Sequence, residues 1–173
     1  MKNMWIAGLI AGGFAGIWGC LMCIGGIQVS MTTGMTIGYL TMLIGLSVVF
    51  LAIKRRRDED QGGVIRFWPA FGLGLAISLI AGLVYALMFE ATLAMFGFDK
   101  FVDRMMAMSQ EGGASAQEIA DMRAFFGGPY ANPLIRIPIT LSEILPVGVL
   151  VSLVSAGLLR NPRFMPARGS SEG

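Results

Sequence analysis

Four long apolar blocks follow one another along the chain. They cover residues of about 5–27, 35–53, 67–89 and 137–159, and the helical pattern of the third block continues towards residue 96. A helix needs about 20 consecutive apolar residues to cross the hydrocarbon core of a bilayer, so each block is long enough. Polar residues are rare inside the blocks, whereas they would occupy a whole face of a surface helix in a soluble protein. The pattern therefore predicts a single all-α domain over 1–173, built as a four-span transmembrane helix bundle.

The segment of about 97–128, between the third and fourth blocks, has a different pattern. Its apolar residues recur at helical spacing, on either side of a Gly-Gly break at 112–113. Ser115 and Glu118 form an S-x-x-E capping box, which predicts the start of a second helix. We therefore expect an outward-facing amphipathic helical hairpin on the membrane surface or over the ends of the spans. Its apolar faces consist of Phe98, Phe101, Val102, Met105 and Met106, and of Ile119, Met122 and Phe126.

Composition supports a membrane protein and argues against several functional classes. The chain is 55% hydrophobic and 14% charged, with a mean hydropathy of +0.69, whereas soluble domains average roughly 25% charged residues. The net charge of +2 is small and the basic residues form no stripe, so we expect no nucleic-acid partner. Histidine, the commonest general base and metal ligand, does not occur. We expect the lipid bilayer as partner, and no enzyme activity, cofactor or metal.

The sulfur-bearing residues leave two alternatives open. Cys20 and Cys23 share a face of the first predicted helix, where a redox or metal pair is the alternative to simple packing of small residues. Met105, Met106 and Met108 have thioethers of the kind that bind copper(I). However, the first two already belong to the apolar face of the predicted hairpin. Packing therefore explains both groups without a metal.

Basic residues predict the orientation in the membrane, because cytoplasmic loops carry an excess of Lys and Arg. The predicted loop of 54–66, the tail of 160–173 and Lys2 together hold nine basic residues on one side, against four on the other. The acidic run at 58–60 weakens the alternative in which the basic cluster of this loop binds anionic lipid head groups. We therefore expect both termini in the cytoplasm. The topology-determining cluster is Lys54, Arg55, Arg56 and Arg57.

Glycines repeat every fourth residue in the first span and recur in the second. In lipid, helices approach one another closely where small residues line the interface. Such faces would pack the spans together within one bundle, or would join two copies of the chain in a homo-oligomer, and the sequence does not separate these possibilities. The glycines are Gly8, Gly12 and Gly16 in the first span and Gly34, Gly38 and Gly45 in the second.

Two acidic residues of the apolar blocks are candidates for a polar site. Glu90 follows the third block and is placed to reach the membrane interface. Glu143 lies inside the fourth block, roughly 10 Å from Arg136 at 1.5 Å per residue of helix. Ionisable residues inside a membrane usually pair with another group or mark a pathway for ions or protons. Glu143 is therefore the principal candidate.

Other polar groups of the fourth block add to this candidate site. Pro146 lacks a backbone N–H, so the carbonyl of Ser142 loses its helical partner. The hydroxyls of Thr140 and Ser142 are close in sequence to Glu143. Two interpretations stay open: a cation or proton site, or a structural carboxyl group that forms hydrogen bonds across helices or pairs with Arg136.

Three stretches give the chain a family resemblance. They are the end of the second span, GYLTMLIGLSVVFLAIKRRRD, the Gly-Gly loop that follows it, and NPLIRIPITLSEILPVGVLVSLVSA. From the first span to about Arg160, the chain closely resembles the small bacterial membrane proteins catalogued as domain of unknown function 4199. The resemblance implies four helices and a bacterial inner membrane, but no activity. It does not extend to the cysteine pair or the Met-rich segment.

Three functional classes follow from these observations. The first is a non-enzymatic inner-membrane protein of uncharacterised role, a scaffold or accessory protein that forms assemblies. The second is a small oligomeric transporter or ion-coupled carrier that uses Glu143; four spans are few for a carrier that acts alone. The third, an intramembrane enzyme, is disfavoured because the sequence has no histidine and no nucleophile–base pair. The sequence does not identify a protein partner.

Overall fold

Helices account for all the regular structure of the described residues, 2–24 and 31–166, in this computed structural model. A π-helical turn, Arg56–Asp60, follows the second helix, and a short 3₁₀ helix, Pro129–Ala131, precedes the last. The six α-helices are α1 (Lys2–Ile24), α2 (Met31–Arg55), α3 (Phe67–Phe96), α4 (Phe98–Glu111), α5 (Ala116–Gly127) and α6 (Pro133–Leu159).

Four of these helical segments are long and apolar enough to cross a membrane: Met4–Leu21, Thr32–Asp60, Phe67–Phe96 and Pro133–Leu159. Large apolar side chains on their outer surfaces are exposed, as expected for groups that face lipid; Leu87, for example, is 62% exposed. The prediction of an all-α fold with four apolar spans is therefore confirmed. The last residues of the first predicted span, 25–27, lie outside the described part of the chain.

The second span extends into the segment that the sequence predicted to be a loop. Lys54 and Arg55 belong to α2, and the π-helical turn continues the helix to Asp60. Lys54 pairs with Asp58 and Arg55 pairs with Glu59, both at i, i+4 spacing. Oppositely charged residues at this spacing are neighbours on a helix surface and favour the helix. The acidic residues of 58–60 therefore belong to a helical continuation of α2, and they pair with basic residues at its end.

The fourth span begins at Pro133, four residues before the start predicted from the apolar block. Asn132 caps the helix, because its side-chain oxygen accepts a hydrogen bond from the backbone N–H of Leu134 at 3.0 Å. Proline suits the first helical position, where no intrahelical partner for an N–H is lost. As a result, Arg136 lies within the first turn of α6 rather than before it.

Helix α3 lies at the centre of the bundle and packs against α6 and α1, while α2 packs against α1 and α6. One end of the bundle carries the start of α1, the end of α2 and the loop before α3; we call it the basic end. The opposite end, where α4 and α5 connect α3 to α6, is the hairpin end.

The guanidinium of Arg57, in the predicted topology cluster, is buried at the basic end. Its Nη1 and Nη2 donate to the backbone carbonyls of Phe164 and Met165, at 2.8 and 2.5 Å, and its Nε donates to Asp58 at 2.7 Å. The ring of Phe164 also packs edge-on against Phe50. Arg57 therefore holds the segment after α6 against the end of α2, a role that the sequence did not predict.

Glycines allow close contact between α1 and α3. A Cβ atom placed on Gly8 would lie 2.5 Å from Ile80 Cγ2, and one on Gly12 would lie 2.4 Å from the carbonyl oxygen of Ala81. In α2, Gly45 lies near the backbone of α1, whereas a Cβ on Gly38 would meet open space. The glycine-containing face of α1 is thus covered by α3 in this chain.

Helices α4 and α5 pack against each other through the apolar faces predicted from the sequence. The rings of Phe101 and Phe126 are 6.1 Å apart, and Phe101 also packs edge-on against Phe89 of α3 at 5.6 Å. The capping box is confirmed, with reciprocal hydrogen bonds between Ser115 and Glu118 at 3.3 and 2.7 Å. The backbone N–H and the hydroxyl of Ser115 hold the pKa of Glu118 below its ordinary value.

Candidate functional site

Arg136 forms a two-point ion pair with Glu90 between α6 and α3. Its Nε donates to Glu90 Oε1 at 2.6 Å and its Nη2 donates to Glu90 Oε2 at 2.5 Å. Nη1 donates to the backbone carbonyl of Tyr130 at 2.9 Å, and the guanidinium lies 4.9 Å from the ring centre of Phe98. Arg136 is 4% exposed, so its charge is both buried and fully neutralised.

The structure separates the two acidic candidates. Glu90, which the sequence analysis placed near the interface, neutralises Arg136. The alternative in which Glu143 pairs with Arg136 is wrong, because the side chain of Arg136 extends towards Tyr130 and Glu90 rather than along α6 towards Glu143. Glu143 forms no ion pair with any described residue.

Glu143 lies where two cavities approach each other. The first, of about 300 Å³, is bounded by α1, α2, α3 and α6, and we call it the interhelical cavity. The second, of about 280 Å³, lies between α3, α6 and the hairpin helices, and we call it the hairpin cavity. Glu143 and Tyr85 line both. Glu143 is an exposed residue of a candidate span and borders both cavities.

Most of the interhelical cavity is apolar, and the sequence identified only Glu143 and Gly38 among the residues that line it. Three aromatic rings contribute to its wall: Trp18 of α1, Tyr39 of α2 and Tyr85 of α3. The indole N–H of Trp18 is buried and has no hydrogen-bond partner among the described residues. An unsatisfied buried donor is uncommon and costs about 1–3 kcal/mol. Trp18 is thus the second unusual polar group of this cavity.

The hairpin cavity is aromatic and carries polar groups near Glu143. Tyr130 and Thr140 both line it and are buried. Burial raises the pKa of the Tyr130 hydroxyl, and the nearby carboxylate of Glu143 raises it further. Thr140, which the sequence analysis grouped with Glu143, lines the same cavity as Glu143. The cavity connects that group to the surface of the hairpin helices.

Ser142 does not join this group. It is exposed on α6, and its hydroxyl donates to the carbonyl of Ile139 at 2.6 Å. Its expected contribution beside Glu143 is therefore wrong, because residues adjacent in a helix point about 100° apart and do not face one another. Pro146 lies inside α6, as does Pro138, so two carbonyls of this helix lack their usual backbone donor.

The one described cysteine side chain, Cys20, is hydrogen-bonded to a hydroxyl group. The thiol of Cys20 bonds to the hydroxyl oxygen of Thr92, whose own proton is donated to the carbonyl of Met88 at 2.8 Å. The side chain of Cys23 lies outside the described residues. Across the described ranges, no three Cys, Asp or Glu side chains come together in a way that would hold a metal ion.

The arrangement at Glu143 can exchange a proton or hold a cation. A carboxylate inside a membrane needs a compensating charge or a proton, and no Arg or Lys of the described residues lines either cavity. The two cavities would each give a proton or a cationic group a route to Glu143. Trp18, Tyr39 and Tyr85 come from three different helices, which is why no local motif indicated them.

Comparison with known proteins identifies a family but no activity. No curated protein and no solved structure matches the chain. A family model described as "Protein of unknown function (DUF4199)" matches residues 7–161, which include most of the first candidate span, the other three spans in full, the hairpin and Glu143. The chain therefore belongs to the DUF4199 family of proteins of unknown function.

Proposed function

We propose that this chain is a non-enzymatic membrane protein that binds a proton or a cation at Glu143 and carries it between the two cavities. The observation that supports this function is the position of Glu143 on both cavities, without an ionic partner among the described residues. The nearest basic residue along α6, Arg136, is neutralised by Glu90. A carboxylate left unpaired at this depth is costly unless it binds something.

Oligomerisation is part of this proposal, because four spans are few for a carrier that acts alone. The glycine face of α1 is occupied by α3, so an oligomer through Gly8 and Gly12 would have to displace α3. A homo-oligomer would instead use the exposed apolar surfaces of α2 or α6. A scaffold protein would also form a homo-oligomer through these surfaces. The scaffold function is the alternative if Glu143 neither binds nor transfers a cation.

The membrane and the orientation are also proposed. The family resemblance of the second and fourth spans supports a bacterial inner membrane. The nine basic residues at the basic end and in the tail support cytoplasmic termini, with the hairpin helices outside. The bilayer is then the main partner, and the hairpin cavity opens on the outer side.

A hydrophobic carbodiimide tests the site at Glu143, because it reacts with protonated carboxyl groups that are accessible from lipid. Purified protein in phosphatidylcholine vesicles is treated with dicyclohexylcarbodiimide at several pH values, and the modified peptides are identified by mass spectrometry. We expect labelling of Glu143 that decreases as the pH rises. Glu90 is the internal control, because both of its carboxylate oxygens accept hydrogen bonds from Arg136 and are blocked from the reagent. An unlabelled Glu143 in a recovered peptide would contradict the proposal.

Transport is tested in the same vesicles with a trapped pH indicator and an imposed potassium diffusion potential. The wild type should acidify the lumen, and Glu143→Gln should abolish the flux. The control is Glu111→Gln, which changes an exposed carboxylate at the end of α4 that lines neither cavity. Labelling of Glu143 without any flux in the wild type would restrict the function to binding and would favour the scaffold class.

A further inference from the structure

Two polar groups of the interhelical cavity have complementary requirements that no described residue meets. The carboxylate of Glu143 needs a positive charge or a proton, and the indole N–H of Trp18 needs a hydrogen-bond acceptor. The indole N–H of Trp18 is closed to a molecule of the size of water in the structure, so the ring, which lines the cavity, has to rotate for this N–H to reach a ligand. A single ligand that carries a cationic group and an acceptor would satisfy them together.

The remaining wall of the cavity suits an organic cation better than a metal ion. The rings of Trp18, Tyr39 and Tyr85 line the cavity, together with the side chains of Met35 and Met42. Aromatic rings attract organic cations through their negative faces, by about 0.5–2 kcal/mol each. Hard metal ions instead require several oxygen ligands, and Glu143 is the sole carboxylate among the described lining residues.

Access to the cavity is from the lipid side. Met35 and Tyr39 of α2 line the cavity, and each is 55% exposed on the surface of the bundle. Gly38 lies between them along α2 and leaves open space where a side chain would stand. A ligand with an apolar tail can therefore place its head group against Glu143 while the tail remains among the lipid chains.

We propose that the interhelical cavity binds the head group of an amphiphilic organic cation that also carries a hydrogen-bond acceptor. Glu143 neutralises the cation, Trp18 donates to the acceptor, and the apolar tail lies in the bilayer beside α2. This inference rests on the proposed function of Glu143, whose substrate class it names. It assigns to Trp18 the role of selecting ligands by their acceptor.

Three related probes separate the contributions of charge and acceptor. Lauroylcholine has a quaternary ammonium and an ester carbonyl. Its neutral carbon isostere, 3,3-dimethylbutyl laurate, keeps the carbonyl and lacks the charge, whereas dodecyltrimethylammonium keeps the charge and lacks the carbonyl. Binding is measured by equilibrium partition to the protein in phosphatidylcholine nanodiscs, with partition to nanodiscs that lack the protein subtracted.

The wild type should bind lauroylcholine about tenfold more tightly than the neutral isostere, and about fivefold more tightly than dodecyltrimethylammonium. Glu143→Gln should remove the first preference, and Trp18→Phe should remove the second. Trp18→Phe keeps an aromatic ring and removes a donor that has no partner in the free protein, so it should not unfold the chain. Gly38→Leu serves as a second, charge-neutral variant: its side chain has space to extend into the cavity and should abolish binding of all three probes.

The outcomes of these experiments distinguish a failure of the ligand class from a failure of the proposed function of Glu143. Bound lauroylcholine should also protect Glu143 from the carbodiimide. Equal binding of the charged ester and its neutral isostere, or unchanged preferences in Glu143→Gln and Trp18→Phe, would overturn the ligand class. If the carbodiimide labels Glu143 but none of the probes binds, the ligand class fails and the proton site stands. If Glu143 is unreactive as well, both fail.

Discussion

At the scale of single residues, two acidic side chains of similar sequence context have opposite environments. Glu90 is joined to Arg136 by two hydrogen bonds, and the side chain of Arg136 is 5% exposed. Glu143 lies two helical turns beyond Arg136 and lines two cavities without an ionic partner among the described residues. The first carboxylate joins α3 to α6, and the second is the one that we propose as a ligand site.

Removing Glu90 should therefore destabilise the protein strongly. Glu90→Gln leaves the guanidinium of Arg136 buried without its carboxylate, which costs on the order of 3–5 kcal/mol. Unfolding in a mild detergent, followed by circular dichroism, measures the loss. The matched control is Asp103→Asn, which breaks the exposed pair with Arg123 at 3.9 Å and should cost at most about 1 kcal/mol. Similar losses in the two variants would contradict the structural role of the buried pair.

The partner of Arg136 could not be predicted from the sequence. Glu143 is seven residues away on the same helix, whereas Glu90 is 46 residues away and becomes a neighbour only when α3 packs on α6. Spacing along the helix favours Glu143 as the partner of Arg136, but the packing of α3 on α6 brings Glu90 to it instead. The same reason applies to Trp18, Tyr39 and Tyr85, whose common cavity exists only after three helices have assembled. Glu143 itself could be selected as a candidate from the sequence, because an isolated carboxylate in an apolar block is a local feature.

At the scale of helices, the apolar blocks predicted the existence and the order of the four spans better than their boundaries. All four spans are found, but α2 and α6 extend beyond their apolar blocks. Their additional turns depend on ion pairs of the acidic run and on the Asn132 cap, which hydropathy does not measure. The hairpin helices were predictable in more detail, since amphipathic spacing and a capping box specify both faces and the start of α5.

The contact between α1 and α3 makes a sharp prediction at this scale. Gly12→Ala would place a Cβ 2.4 Å from the carbonyl oxygen of Ala81, and backbone atoms cannot move aside without separating the helices. We expect a loss of about 1–3 kcal/mol, typical of overpacking. Gly13→Ala is the adjacent control, because a Cβ there meets no atom within 4 Å and alanine favours helix by roughly 1 kcal/mol.

Thermal unfolding of the two glycine variants in the same detergent measures this difference. The midpoint should fall for Gly12→Ala and should stay the same or rise for Gly13→Ala. A fall of equal size in both would mean that helix properties, rather than the approach of α1 to α3, determine the effect.

At the scale of the whole molecule, the distribution of charge predicts which end lies in the cytoplasm. Among the described residues, Arg57 at the basic end and Arg136 at the hairpin end have buried side chains in ion pairs. Without them, the nine-to-four excess becomes eight to three, so the asymmetry does not depend on buried residues. The positive-inside rule then predicts that the basic end lies in the cytoplasm and the hairpin helices lie outside.

Accessibility of single cysteines to a membrane-impermeant maleimide tests this orientation. Gln61 and Glu111 are chosen because both are exposed and lie at opposite ends of the bundle. Gln61→Cys and Glu111→Cys are each made in a background with Cys20→Ser and Cys23→Ser, which removes the native thiols. In intact cells with a permeabilised outer envelope, Glu111→Cys should react and Gln61→Cys should react only after the inner membrane is opened. Equal labelling in detergent controls for intrinsic reactivity. The reverse pattern would place the hairpin cavity on the cytoplasmic side, and Glu143 would then receive its proton or cation from the cytoplasm through that cavity.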